Sequence, residues 1–142
     1  MIYTEQTEKA LKLCFEAHKE QTDKVGLPYV FHPFHLAEQM TEEATVTTAL
    51  LHDVVEDSPY TFDDLKEMGF SESVLAALRL LTHDESVPYM DYVAAIKKNP
   101  VARAVKLADL RHNSDLSRMD EVTEKTLARR EKYLAAIRLL EE

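Results

Sequence analysis

Ala49-Leu50-Leu51-His52-Asp53-Val54-Val55-Glu56-Asp57 sets four ionisable side chains inside an apolar run. The run reads as part of a helix over about 44–56, mostly buried by its own hydrophobicity. Four ionisable groups on two turns of such a helix are costly without a partner, and a bound metal cation is the partner that relieves them best.

Outward from this run the pattern stays helical in both directions. Upstream, Ala10, Leu13, Cys14 and Ala17 repeat at helical spacing and the segment breaks near Gly26-Leu27-Pro28. A second helix is expected over 33–40, with Pro33 suited to its first position. Downstream, Thr61 with Asp64 three residues on forms a capping-box pattern, and Gly69 stands where a C-terminal cap would close that short helix. Ser71 caps the next helix, over 72–81, and Pro88 opens another that closes near Lys98. Asn99-Pro100 is a cap and first-turn signal for a long helix to about Ser117. A last helix over 122–140 offers Leu127, Tyr133, Leu134, Ile137 and Leu140 for packing. No segment alternates with period two. The expectation is an all-α, single-domain bundle spanning 1–142, with about seven to eight helices.

A chain of 142 residues, 45% hydrophobic and with only two glycines, closes one core rather than two. Its net charge of −9 argues against a general nucleic-acid binder, because counterion release needs basic surface. A small anionic ligand remains compatible if positive charge is focused locally, and a metal supplies it. Cys14 is the only cysteine, so no intrachain disulfide forms. The opening residues 1–6 carry neither a basic nor an apolar leader pattern, and no apolar stretch reaches membrane-spanning length. A cytoplasmic protein with no membrane partner is expected, and no feature fixes its oligomeric state.

Adjacent residues on a helix point about 100° apart, so His52 and Asp53 need further ligands from elsewhere. His32, just before Pro33, stands at a loop-to-helix junction; Asp109, in Val105-Lys106-Leu107-Ala108-Asp109, is the acid embedded in an apolar stretch of the long helix. His32, His52, Asp53 and Asp109 together form a mixed nitrogen and oxygen set, suited to Mn²⁺, Fe²⁺, Zn²⁺ or Co²⁺ rather than Ca²⁺. Glu56, one turn beyond His52, could orient or deprotonate a water there. Asn113 stands one turn beyond Asp109, and Lys24, Lys106 and Arg111 are phosphate-binding candidates. The remaining His18, His35 and His112 are read as structural, and Lys97-Lys98, Arg129-Arg130 and Glu141-Glu142 as solvated charge.

These residues carry a resemblance. His32, the His52-Asp53 doublet and Asp109 match the H…HD…D pattern of the HD-domain metal-dependent phosphohydrolases. More narrowly, Gly26-Leu27-Pro28-Tyr29…His32-Pro33, Ala49 through Asp57, and Lys106-Leu107-Ala108-Asp109…His112-Asn113 resemble the hydrolase domain of the RelA/SpoT proteins and the small alarmone hydrolases, over about Phe15 to Ser117. The resemblance implies an HD-type helical fold and one divalent metal, usually Mn²⁺. It also implies an enzyme that removes the 3′-pyrophosphate of guanosine tetra- and pentaphosphate (ppGpp and pppGpp). On it, His32, His52, Asp53 and Asp109 become metal ligands, Glu56 and Asp57 catalytic acids, and Lys24 and Asn113 nucleotide contacts. Departures fall at Thr22-Asp23, where the family carries basic residues, at His83 in place of a lysine, and at Leu110-Arg111 in place of Arg-Leu. Another phosphorylated nucleotide or dinucleotide cofactor therefore stands as an alternative substrate. A non-catalytic nucleotide- or metal-binding module is the third reading.

Overall fold

Thr4, Thr61, Ser71, Asn99 and Thr123 each place a side-chain oxygen on the backbone N–H three residues ahead, and a helix starts after each of them. The computed structural model describes residues 1–142. It contains nine α-helices: α1 (Glu5–His18), α2 (Phe31–Glu38), α3 (Glu43–Leu51), α4 (Val54–Asp57), α5 (Phe62–Glu67), α6 (Glu72–Leu81), α7 (Tyr89–Lys97), α8 (Pro100–Asn113) and α9 (Glu124–Glu141). A 3-10 turn, Leu116–Arg118, follows α8. The only extended pairing is a bridge between Thr22 and Pro28 in the loop before α2. The all-α expectation holds, and no helix is long and apolar enough to cross a membrane.

The core is one cluster of 27 buried hydrophobic residues, and α3 runs through it. Every residue from Val46 to Leu51 is buried, so beyond its first three residues this helix has no wet face to display. It packs against α1, α2, α6 and α8. Cys14, from α1, faces the same interior, where burial pushes its thiol up to about 12. His18, read as structural, is likewise buried, with Gln21 2.9 Å from its Nδ1.

Three boundaries differ from expectation, each for a local reason. The helix expected over 44–56 is two, because His52 ends α3 and Asp53 takes φ −109°, ψ 2°. That bridge conformation breaks the ladder without glycine or proline, and it raises the helix count to nine. α2 begins at Phe31, so Pro33 is the third residue of the first turn, where its missing N–H costs nothing. α8 stops at Asn113, where Ser114 N–H closes the last turn on Leu110.

Candidate functional site

The break after α3 aims His52 into the interior. Its Nδ1 lies 2.7 Å from the carbonyl oxygen of Ala49, and a carbonyl only accepts, so Nδ1 carries the proton. Nε2 is left facing Asp53 Oδ2 at 3.0 Å and Asp109 Oδ1 at 3.6 Å. Despite that proximity it is buried without a hydrogen bond of acceptable geometry. A buried ring nitrogen crowded by two carboxylates fits a divalent cation, which would take the place of a proton on Nε2 and join all three groups.

His32, on the first turn of α2, and Asp109, on α8, meet across the same space. His32 Nε2 is 2.9 Å from Asp109 Oδ1, and its Nδ1 is 2.7 Å from Nδ1 of His112. Candidate donor atoms of His32, His52 and Asp109 lie within 4.8 Å of one another, and all three residues are buried. Asp53 adjoins this cluster through His52 and accepts a hydrogen bond from the Tyr29 hydroxyl. Asp109 also receives Asn113 Nδ2 at 3.0 Å and Lys106 Nζ at 2.9 Å. His112, read as structural in the sequence, lies against His32 as its supporting ring.

Charge is balanced tightly here. Burial would push the His52 imidazole down, but Asp53 and Asp109 override it and hold its pKa well above the usual value. Burial would likewise raise Asp109, yet Lys106 and the two histidines hold it well below the usual carboxylate range. Glu56, on α4, accepts the backbone N–H of His83 at 2.8 Å. Partial burial nonetheless raises its carboxyl, with Asp53 and Asp57 adding to the rise. Asp57 is raised for the same reasons, burial first and Asp53 second.

Two cavities meet at this cluster. One, of about 200 Å³, has His52, Asp53, Glu56, Lys106 and Asp109 in its wall. The other, of about 340 Å³, has His32 together with Lys24, Arg118 and Arg129. Asn113 and Tyr133 line both. The second therefore concentrates three cations against one acid, Asp23, in a chain of net charge −9. Burial, then Arg129 and Lys125, lowers the pKa of the Lys24 ammonium. Of the residues singled out in the sequence, Arg111 is not brought in: it is exposed, pairs with Glu141 at 2.8 Å and lines neither cavity. Asp57 also lies outside both walls.

A mouse protein named guanosine-3′,5′-bis(diphosphate) 3′-pyrophosphohydrolase MESH1 is 36% identical over 120 residues, covering 73% of this chain and 66% of that protein. The chain belongs to the HD-type ppGpp hydrolase family. Human MESH1 matches at 36% over 115 residues, 71% of this chain and 64% of the relative. The Escherichia coli bifunctional (p)ppGpp synthase/hydrolase SpoT matches at 31% over 113 residues, 69% of this chain and 16% of that protein. The chain thus spans just under two thirds of the length of its mammalian relatives. A solved structure, described as a metazoan ortholog of SpoT that hydrolyses ppGpp, superposes with a TM-score of 0.73 at 26% identity, over 99% of this chain and 85% of that one. No protein-family model matches.

In this HD-type hydrolase chain, α9 supplies what the sequence reading missed. Arg129 was assigned to solvated charge, yet with Tyr133 it lines the cationic cavity, while Lys132 lines the smaller one. Their spacing of three and four places them on one helix face, a signal available in the sequence. Arg130, beside them, donates Nε to the Ser114 carbonyl at 3.0 Å and holds α9 against the end of α8.

Proposed function

We propose that this chain is a cytoplasmic, divalent-metal-dependent pyrophosphohydrolase that removes the 3′-pyrophosphate of guanosine tetra- and pentaphosphate. One observation carries the reading: the buried His32–His52–Asp109 cluster lies where a cation-lined cavity meets a second cavity bearing Glu56. In this reading His32, His52, Asp53 and Asp109 would hold one divalent ion, Mn²⁺ by the family resemblance, with the two carboxylates offsetting its charge and the two imidazoles completing a mixed nitrogen and oxygen set. When bound, the ion lowers the pKa of water and withdraws charge from phosphoryl oxygens.

The chain's own groups do the rest. Glu56, a stronger base than an ordinary carboxylate because of its surroundings, accepts a proton from the attacking water. Asp57 acts through its charge, which contributes to that basicity. The bond between phosphorus and the nucleoside 3′ oxygen breaks, the oxygen takes up a proton, and pyrophosphate leaves. Lys106 stays protonated, because Asp109 beside it outweighs its burial, and it steadies that carboxylate. Lys24, Arg118 and Arg129 bind the remaining phosphates, with Asn113 at the boundary.

One observation favours a different nucleotide with the same chemistry. Asp23 spends its carboxylate on the N–H groups of Val25 and Leu27, both at 3.0 Å, and Lys19 pairs with Glu16, so Lys24 is the one cation this loop brings to the cavity. The test is a hydrolysis screen of the Mn²⁺-loaded protein against guanosine tetraphosphate, nucleoside monophosphates and phosphorylated dinucleotides. Pyrophosphate release from the first is expected. Orthophosphate release from another substrate alone would transfer the assignment to that substrate, and metal binding with no turnover on any would leave a non-catalytic module.

A further inference from the structure

The smaller cavity has a wall that continues away from the metal cluster. Lys106 Nζ, tied to Asp109 Oδ2, sits 5.4 Å from the centroid of the Tyr92 ring. The Tyr92 ring is 5.9 Å from that of Tyr89, and Lys132 Nζ lies 4.1 Å over Tyr89. His83 closes the same corner, its ring 4.5 Å from Tyr92.

The polar groups along it differ in what they have left to give. Lys106 is neutralised by Asp109, and the Tyr92 hydroxyl donates to the Leu81 carbonyl at 2.6 Å. His83 Nε2 is 2.8 Å from the Val87 carbonyl. The Tyr89 hydroxyl, by contrast, is buried with no partner at all. Lys132 forms no ion pair, although acids outnumber bases in the chain by 26 to 17. An unmet buried donor and an unpaired ammonium thus lie together on one cavity wall. The unmet hydroxyl is a cost to the free protein that a ligand oxygen would remove, and the exposed Lys132 ammonium, with no carboxylate partner, is free to take an anionic oxygen beside it.

We propose that Tyr89 and Lys132 are specificity-determining residues that bind the distal phosphate of a pyrophosphoryl group. They make the cavity select pyrophosphate over a single phosphate. The assignment rests on the phosphohydrolase reading, and it adds a second anion contact beyond the one the metal provides. A phosphate held by the metal would satisfy neither group; the phosphate beyond it meets both. An exclusively structural role, with Lys132 clamping α9 to α7 through the Tyr89 ring, makes the opposite prediction for the hydroxyl.

Calorimetric titration of inorganic pyrophosphate and of orthophosphate into the protein, at a fixed excess of Mn²⁺, tests this directly. The wild-type protein is expected to bind pyrophosphate at least about tenfold more tightly than orthophosphate. Tyr89→Phe and Lys132→Met should each lower pyrophosphate affinity about tenfold and leave orthophosphate unchanged, with Lys132→Arg retaining most of the preference. Tyr89→Phe removes only an unpartnered hydroxyl, so its Tm should stay level or rise, whereas a structural hydroxyl would lower it. Equal affinity of the wild-type protein for both anions, or unchanged pyrophosphate binding in Tyr89→Phe and Lys132→Met, overturns the proposal. A retained pyrophosphate preference without hydrolysis of guanosine tetraphosphate upholds it and overturns the substrate reading instead.

Discussion

At His52 a single backbone carbonyl decides which ring nitrogen faces the site. The Ala49 carbonyl accepts the Nδ1–H, so Nε2 is the ring nitrogen that faces Asp53 and Asp109. Asp109 in turn gathers His32, Lys106 and Asn113 around one carboxylate. Asp109→Asn is therefore expected to abolish metal loading, measured by elemental analysis after dialysis; full occupancy in the variant would refute the ligand set. Glu56→Gln should keep the metal and lose kcat by about 10²–10⁴-fold, the usual worth of a positioned base. The sign of its pH dependence follows from its surroundings. Burial raises the Glu56 carboxyl, and only the deprotonated form accepts a proton, so the rate should climb through a pKa above the ordinary 4.5. Asp57→Asn removes one cause of that rise and should move the acid limb of the pH–rate profile to lower pH. A limb that moves up, or stays fixed, would count against Glu56 as the base.

Among the elements, α3, α8 and α9 contribute in different ways, and they were unequally legible. His52 and Asp109 stand out in sequence because acids and imidazoles are rare in apolar helical runs, where burial demands a reason for them. The helix caps were equally plain, since Thr61, Ser71 and Asn99 use side-chain oxygens that only a helix start employs in this way. The break at His52-Asp53 was not: no glycine or proline announces it, and tertiary packing selects the bridge conformation of Asp53. Arg129 and Lys132 were hidden for another reason. Polar residues on a helix with little buried surface look alike whether they face bulk water or a cleft, and only Ala136 and Leu140 of α9 are fully buried. Arg129→Ala is expected to raise KM about tenfold with kcat little changed, because it removes a charge-assisted phosphate contact remote from the reacting bond. A change confined to kcat would place Arg129 with the chemistry rather than with binding.

Across the whole molecule, the proposed ligands come from α2, from the α3–α4 junction and from α8, so one ion would tie together elements that otherwise meet through the core. Metal bound only by the folded state adds stability by mass action, about 2.7 kcal/mol at a concentration one hundredfold above Kd. For a chain of this size that corresponds to roughly 10 °C in Tm. Chelation should lower Tm by that order and re-addition of Mn²⁺ restore it, followed by scanning calorimetry; equal Tm values with and without metal would argue against a site shared by these helices. The division of labour along the chain has a further consequence. The groups expected to hold the ion lie between His32 and Asp109, whereas much of the anion-binding wall comes from α9, after residue 123. Substitutions in that last helix can therefore accumulate without disturbing the hydrolytic centre. Such a layout lets descent retune which phosphate ester is cleaved while the cleavage reaction itself is inherited intact.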